Sequence, residues 1–305
     1  MAEDEGELSD RHHFHYLTDP QGSFVLIAPC EIVETAVVFV HGFGGDAAGT
    51  WAHFQQFIDD RDDFRERFAS VDLYFVQYQA VWESISSSVD RLGTFIAKVV
   101  FDPESPQFQV PLGPLLLGVD TPIAEMLEDR RADDHRAGTL LARPPGHLYR
   151  TLVIAAHSEG GVVVRQTILR TYDGQGNSPL YDARLALFAP ALFGYEPSGV
   201  LGTMMNLPGL GRVIDACLRS SPAYRDLQRD SKFKLLSTLQ TRTEELKDVA
   251  IGFRASLLWG RKDRILQDGQ YVGDDVYYKD DLGHIAICKP TGDYDDPIAF
   301  VASKF

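Results

Sequence analysis

Short apolar runs are the feature of this sequence that most limits its fold. Residues 36–40 (AVVFV) are rich in β-branched side chains and stop at a glycine-rich turn, and residues 152–156 (LVIAA) are apolar throughout. Strands without polar alternation are typical of a parallel sheet that is covered on both faces. The predicted strands are residues 24–28, 36–40, 71–78, 152–156, 185–189, 255–259 and 275–278.

Helical patterns separate these strands. Apolar residues recur near helical spacing over residues 51–68, 85–100 and 161–172. Alternation of strand and helix predicts βαβ units, whose right-handed crossovers build a parallel sheet with helices on both faces. The expected fold class is therefore α/β, with a mostly parallel central sheet and a helical cap.

Two stretches interrupt the alternation and suggest a domain organisation. Residues 101–148 contain seven prolines and one possible short helix at 123–131, which predicts an excursion at the edge of the sheet. Residues 191–249 hold helical pieces and turns, which we interpret as the cap. The expected organisation is an acidic arm at 1–20, a core at 21–190 and 250–305 that includes the excursion, and the cap at 191–249.

The charge balance limits the classes of partner. The 305-residue chain has 44 acidic and 29 basic residues and a net charge of −15. Such a surface favours solubility and argues against binding to nucleic acid or to an anionic membrane by bulk electrostatics. The acidic start MAEDEGELSD lacks the basic and apolar regions of a secretory signal, and no run approaches the roughly 18 apolar residues of a membrane span. We therefore expect a cytoplasmic protein without stable membrane insertion.

Metal sites and disulfides are not expected. The chain has three cysteines, Cys30, Cys217 and Cys288. Their number is odd, they are far apart and none forms a CxxC pair, so we expect buried reduced thiols. The cluster of His12, His13 and His15 lacks a carboxylate or cysteine at helical spacing that would complete a metal site.

The motif AHSEGG at residues 156–161 carries the strongest chemical signal. It follows the run LVIAA and opens a helical segment, so Ser158 lies on a sharp strand-to-helix turn where a nucleophile is exposed. The usual pattern is G-x-S-x-G; here Ala156 replaces the first glycine, while Gly160 and Gly161 leave space on the far side. The alternative is a tight turn with an incidental serine.

A second glycine-rich turn follows the strand at residues 36–40. It reads His41-Gly42-Phe43-Gly44-Gly45, and glycines here let the backbone approach a ligand closely. Acyl transfer needs two donors for the oxyanion, and the backbone N–H groups of Phe43 and Glu159 are the candidates. His41 is expected to pack behind the loop. The turn by itself would also suit phosphate binding, and its pairing with AHSEGG favours acyl chemistry.

A serine nucleophile needs a base and an orienting acid, which hydrolases of this type place in the order serine, acid, histidine. Only one histidine, His284, follows Ser158 in the chain. Asp263 follows the predicted strand at 255–259 and precedes His284 by 21 residues, so it is the favoured acid. The alternatives are Asp268, Asp274 and Asp275, with Asp280 and Asp281 disfavoured because they lie so close to His284 in sequence.

The segments VVFVHGFGGDAAGTW, AHSEGGVVVRQ, WGRKDRIL and GHIAICKP resemble α/β-hydrolases of the lipase-like and PGAP1-like (GPI inositol-deacylase-like) esterase families. The resemblance covers islands of residues 36–292 and implies a Ser-His-Asp triad and ester-bond hydrolysis, often of acyl lipids or acylated proteins. For this chain we expect a small-molecule or lipid ester as substrate. The chain departs from the pattern at Ala156 and at Glu159, where methionine or glutamine is common. An acid at this position either disfavours anionic substrates or points into the helix surface.

Several hypotheses stay open at this level. The same triad also suits an acyltransferase, and the fold also suits a non-catalytic binding or signalling protein. No cofactor is expected, since the glycine-rich turn lacks the G-x-G-x-x-G spacing and a P-loop lysine. Lys289-Pro290 either contacts a phosphate or carboxylate or begins a solvated helix. Two interpretations stay open for a set of apolar cap residues: they line an acyl pocket, or they simply pack on the sheet. The residues are Leu192, Phe193, Leu201, Met204, Met205, Leu207 and Leu210.

Overall fold

Ten strands form one sheet in the computed structural model, which describes residues 15–19, 21–28, 30, 32–101, 108–109, 139–140, 143, 146–172, 178–194, 220–227, 234–266 and 268–305. The strands are β1 His15–Thr18, β2 Phe24–Ile27, β3 Thr35–Val40, β4 Val71–Val76, β5 Phe108–Gln109, β6 Thr139–Leu140, β7 Thr151–His157, β8 Arg184–Phe188, β9 Ala255–Gly260 and β10 Asp275–Lys279.

The strand order is β10-β9-β8-β7-β3-β4-β2-β1-β5-β6. The six strands from β10 to β4 pair in parallel, and the remaining pairs are antiparallel. The expectation of a mostly parallel α/β sheet is confirmed. The chain leaves β3 for β4 on one side and returns to β7 on the other, and ligands bind at the carboxyl ends of strands where the order reverses in this way.

Seven α-helices pack around the sheet in the part of the chain that the structure describes. They are α1 Ala47–Asp60, α2 Asp62–Phe68, α3 Ile85–Phe95, α4 Glu159–Thr171, α5 Pro222–Asp226, α6 Leu235–Leu246 and α7 Asp296–Ala302. A π-helical turn, Ile96–Phe101, extends α3, and short 3₁₀ helices lie at Pro179–Asp182, Ile251–Phe253 and Ala286–Cys288.

Aromatic contacts show that helices cover both faces of the sheet. The Phe39 ring of β3 contacts Trp51 of α1 and stacks on Phe75 of β4. The next residue towards the start of β4, Tyr74, contacts Phe95 of α3. Because successive side chains of a strand point to opposite faces, α1 and α3 lie on opposite sides of the sheet. The central strands are therefore buried on both faces, as their apolar composition requires.

Two sequence expectations are corrected by the structure. The helix expected over residues 51–68 is two helices, because Arg61 adopts an extended conformation (φ −125°, ψ 112°) between α1 and α2. The first helix also begins earlier, at Ala47, where the Asp46 side chain accepts a hydrogen bond from the Gly49 amide. Cys288 is a buried free thiol, whereas Cys30 is exposed in the surface connection after β2.

Several expectations fall on residues outside the described ranges. These are most of the 1–20 arm with His12 and His13, the helix at 123–131 with most of the 101–148 excursion, Cys217, and residues 195–219 and 228–233 of the cap. In the described part of the cap, helix α6 contacts helix α4. No helix in the described ranges is long and apolar enough to span a bilayer.

Candidate active site

Ser158 occupies a strained turn between β7 and α4. Its backbone angles (φ 55°, ψ −121°) lie where a non-glycine residue costs about 1–3 kcal/mol. Three hydrogen bonds hold the turn: the Ser158 amide donates to Phe188, and the Ser158 carbonyl accepts from Gly161 and Ala191. The turn places Ser158 at the carboxyl end of β7, beside the point where the strand order reverses.

Two glycines allow the serine turn and the loop after β3 to touch. A β-carbon on Gly42 would lie 2.7 Å from Cβ of Ser158, and one on Gly160 would lie 2.5 Å from the His41 carbonyl oxygen. Both distances are shorter than real Cβ contacts, so only glycine fits at either position. Ala156 is fully buried and fits in place of the usual first glycine.

A chain of hydrogen bonds joins Ser158, His284 and Asp263. The Ser158 Oγ is 3.0 Å from Nε2 of His284, and Nδ1 of His284 is 2.8 Å from Oδ2 of Asp263. A carboxylate only accepts hydrogen bonds, so Nδ1 carries the proton and Nε2 is free to accept from the serine hydroxyl.

The surroundings of Asp263 keep it ionised. Burial raises the pKa of this carboxyl, but the hydrogen bond and charge of His284, with the amides of Ile265 and Leu266, outweigh burial and lower the pKa. Those two amides donate to Oδ1, at 2.8 and 3.2 Å. One carboxylate oxygen is thereby fixed by the backbone, and the other is directed at His284.

The alternative acids all lie elsewhere. Asp274 forms a buried ion pair with Arg165, with 2.6 Å between Oδ2 and the guanidinium. Asp268 accepts from the Tyr278 hydroxyl near the surface, and Asp275 is exposed on β10. The disfavoured pair, Asp280 and Asp281, makes exposed ion pairs with Arg261 and Lys262.

His41 packs behind the glycine-rich loop. Its ring stacks on Tyr78 with 4.1 Å between centroids, and its Nδ1 donates to the Gly42 carbonyl at 3.0 Å. The Tyr78 hydroxyl donates to the His41 carbonyl, and burial lowers the pKa of the His41 imidazole. The loop then turns at Gly44, whose φ of +68° favours glycine. Within the described residues, no group accepts a hydrogen bond from the amides of Phe43 and Glu159.

His157 is a site residue that the sequence reasoning did not identify. Its Nε2–H donates to the His284 carbonyl at 2.9 Å, and the two rings are 4.7 Å apart. Burial, followed by the charge of His284, lowers the pKa of His157 to about 3, so its ring is neutral at physiological pH. The available signal was its position, immediately before Ser158 at the end of an apolar strand.

The Glu159 side chain is fully buried, and neither carboxyl oxygen has a hydrogen-bond partner within the described residues. Burial, and then the nearby Asp226, raises the pKa of Glu159 well above its usual value. Burial without a hydrogen-bond partner therefore favours the neutral form of this carboxyl. An uncharged acid does not repel an anionic ligand.

A cavity of about 630 Å³ opens in front of Ser158 and His284. Its apolar wall includes Phe43, Ala191, Tyr224, Leu227, Ile265 and Ile285, and its polar wall includes Asp46, Thr50 and Lys289. This volume is within the usual range for small-molecule sites.

Two residues proposed for an acyl pocket pack into the body of the protein. Leu192 is buried in the core, and Phe193 contacts the Tyr271 ring. The others, Leu201, Met204, Met205, Leu207 and Leu210, lie outside the described residues. No group of three or more described histidine, cysteine or acidic side chains is arranged to hold a metal ion.

A mostly parallel sheet, a serine on a strand-to-helix turn, and an aspartate and histidine that follow it in that order form the arrangement of α/β hydrolases. This chain has the α/β-hydrolase fold. Among solved structures it is similar to DphMB1, with a TM-score of 0.50 and 16% identity over 97% of this chain and 88% of that one.

Two further solved structures are similar at low identity. A monoacylglycerol lipase from Paleococcus ferrophilus matches with a TM-score of 0.49 and 12% identity over 95% of this chain and 99% of that one. Phospholipase PlaB from Legionella pneumophila matches with a TM-score of 0.40 and 17% identity over 75% of this chain, and the match spans only 38% of PlaB. No protein-family model matches the chain, and no curated protein matches its sequence.

Proposed function

We propose that the protein is a serine hydrolase that cleaves carboxylic esters through an acyl-enzyme. The observation that carries the proposal is the hydrogen-bonded chain from Ser158 through His284 to Asp263, which begins at the floor of a cavity of about 630 Å³. In this assignment Ser158 is the nucleophile, His284 the general base and Asp263 the residue that orients the base.

The proposed reaction begins when Ser158 Oγ attacks the ester carbonyl and His284 Nε2 takes the hydroxyl proton. The amides of Phe43 and Glu159 stabilise the resulting oxyanion, and such a donor typically contributes about 3–4 kcal/mol to the transition state. His284 then gives its proton to the leaving alcohol, and an acyl-enzyme remains. Water activated by His284 releases the acid and restores the serine.

Asp263 holds the Nδ1 proton of His284 and stabilises the imidazolium without itself taking the proton. Its lowered pKa supports this role, because the carboxylate stays charged while His284 exchanges protons. The neutral ring of His157, hydrogen-bonded to the His284 backbone, supports the position of the base without competing for protons.

The apolar wall of the cavity supports a small-molecule or lipid ester as substrate. Transfer of the acyl group to an alcohol or amine uses the same residues, and product analysis with competing nucleophiles separates transfer from hydrolysis. The alternative is a non-catalytic binding protein on this fold. An activity-based probe distinguishes the two, because it labels only an activated serine.

The deciding experiment is labelling of the purified protein with a fluorophosphonate probe, which reacts with activated serines. We expect labelling of the wild type, none in Ser158→Ala, and a strong decrease in His284→Ala. Ser237→Ala removes an exposed serine of α6 and should label normally. A folded wild type that stays unlabelled, or labelling that survives in Ser158→Ala, would overturn the assignment.

A further inference from the structure

Lys289 lies half-buried in the wall of the cavity that contains Ser158. It follows the 3₁₀ helix Ala286–Cys288, and its amide donates to the Ala286 carbonyl at 3.1 Å. Pro290, the next residue, is buried, and the next helix begins only at Asp296. The interpretation of Lys289-Pro290 as a solvated helix start is therefore wrong, because no helix begins there and Pro290 is buried.

The Lys289 ammonium forms no ion pair with any described carboxylate. Other lysines of the same region are paired, since Lys262 lies 2.8 Å from Asp281 and Lys279 lies 2.7 Å from Asp296. Both of those pairs are on the surface. Lys289, in contrast, is the cationic residue of the cavity wall among the described residues.

Asp46 is the carboxylate of the same wall, and it is already engaged. Its Oδ1 accepts from the Gly49 amide at 2.6 Å and caps the first turn of α1. A carboxylate in this position balances the partial positive charge of the helix N-terminus. Asp46 therefore stabilises α1, and Lys289 keeps its charge available to the cavity.

The charge of Lys289 reaches groups on two other elements around the cavity. Burial lowers the pKa of His53 on α1, and the Lys289 charge lowers it further. Burial and then His284 account for most of the lowered pKa of His157 at the end of β7, and Lys289 adds to it. Lys289 thus places one positive charge in the wall of the cavity, although the whole chain carries a net charge of −15.

We infer that Lys289 selects esters that carry an anionic group, a carboxylate or a phosphate, a few bonds from the ester carbonyl. The inference rests on the proposed hydrolase function. The half-buried Lys289 side chain has lost part of its hydration, and a charge-assisted hydrogen bond donated by its ammonium to an anion compensates for that loss. The apolar wall with Phe43, Tyr224 and Leu227 takes the uncharged part of the substrate.

The test compares two pairs of esters that differ only in the anionic group. Phenyl butyrate is compared with 3-carboxyphenyl butyrate, and glycerol monobutyrate with the corresponding butyryl glycerol phosphate. For each pair, the quantity compared is kcat/KM for the anionic ester divided by kcat/KM for the neutral ester. We expect Lys289→Met to lower this ratio about tenfold. Lys289→Arg should keep most of that ratio. Lys98→Met, which removes an exposed lysine after α3, should leave it unchanged.

The outcomes separate the two sources of the anion and the two proposals. If Lys289→Met lowers the anionic-to-neutral ratio of kcat/KM for both pairs of esters, Lys289 binds carboxylates and phosphates alike. If the ratio falls for one pair only, Lys289 binds the anion of that pair. An unchanged ratio for both pairs overturns the inference. Binding of the same intact esters to Ser158→Ala protein, with and without Lys289→Met, gives the comparison without hydrolysis. A protein that fails to label or hydrolyse therefore rejects the hydrolase, while the binding ratio still decides the role of Lys289.

Discussion

The Nε2–H of His157 donates to the backbone carbonyl of His284 across 2.9 Å. This bond joins the end of β7 to the loop that carries the proposed base. Its donor ring is uncharged because burial, with the charge of His284, lowers the pKa of His157 to about 3. His157, the residue before the proposed nucleophile, therefore joins β7 to the proposed base and links the candidate site to the stability of the fold.

Acid should destabilise the protein through His157. The unfolded ring has a pKa of 6.5, so between pH 6.5 and about 3 the unfolded chain binds a proton that the native state does not. The unfolding free energy is unaffected by this group above pH 6.5 and falls by about 1.4 kcal/mol per pH unit below it. The lowered pKa of His41 acts in the same direction.

Urea unfolding of wild type and His157→Gln from pH 4 to pH 8 checks this linkage. We expect the unfolding free energy of His157→Gln to fall less steeply below pH 6.5 than that of wild type. The difference in slope should correspond to about one proton. Ser237→Ala, which changes an exposed side chain of α6 that does not titrate, is the control and should keep the wild-type dependence. Equal slopes for wild type and His157→Gln would show that His157 takes no part in the acid sensitivity.

Replacing Asp263 with asparagine should lower kcat/KM by about 10³–10⁴-fold for the ester that the wild type hydrolyses. An amide can donate to Nδ1, which favours the wrong His284 tautomer and removes the negative charge that stabilises the imidazolium. Steady-state kinetics with Asp268→Asn as control tests the assignment, because Asp268 is the nearby exposed alternative. A larger loss in Asp268→Asn than in Asp263→Asn would reassign the acid.

The order of the site along the chain was predictable because it depends on local patterns. Apolar strands that stop at HGFGG and AHSEGG locate two turns, and Asp263 and His284 follow the later strands. The partners of His157 were not predictable in this way, since His284 lies 127 residues further along. Tyr78, which stacks on His41, likewise follows β4 as an ordinary apolar residue in the sequence. Contacts of this kind depend on tertiary packing, which spacing does not encode.

The break in the helical pattern at Arg61 had a similar origin. Apolar residues continue through 51–68 at helical spacing, so periodicity favoured one helix. In the structure Arg61 pairs with Asp63 and Asp295, and its guanidinium lies over the Phe57 and Phe64 rings. These contacts, partly with the segment before α7, accompany the extended backbone at Arg61.

Gly42→Ala should damage activity more than stability. The new methyl would lie 2.7 Å from Cβ of Ser158 and 2.9 Å from the His157 carbonyl, so the loop that carries the Phe43 amide must move. Displacement of this proposed oxyanion donor predicts a loss of about 10²–10³-fold in kcat. Gly292→Ala is the matched control, since its methyl would enter open space. Comparable kinetics for the two variants would contradict the close packing of the two turns.

Glu159→Gln should stabilise the protein at alkaline pH while leaving catalysis nearly intact. Because the folded pKa of Glu159 is raised above its unfolded value of 4.5, the native state holds a proton that the unfolded state releases as the pH rises. The wild-type unfolding free energy therefore falls by about 1.4 kcal/mol per pH unit between 4.5 and the folded pKa. Glutamine is uncharged at every pH and removes this decline.

Denaturant unfolding at pH 4 and pH 8 tests the Glu159 prediction directly. Glu159→Gln and wild type should be alike at pH 4, and the variant should be the more stable at pH 8. Its kcat/KM should stay within about threefold of wild type, because the proposed oxyanion donor is the backbone amide and not the side chain. Ser237→Ala alters an exposed side chain of α6 that does not titrate, and its stability should follow the pH dependence of wild type. If Glu159→Gln were the less stable protein at pH 8, the buried carboxyl would be ionised and paired. The conclusion that the Glu159 carboxyl is neutral would then be wrong.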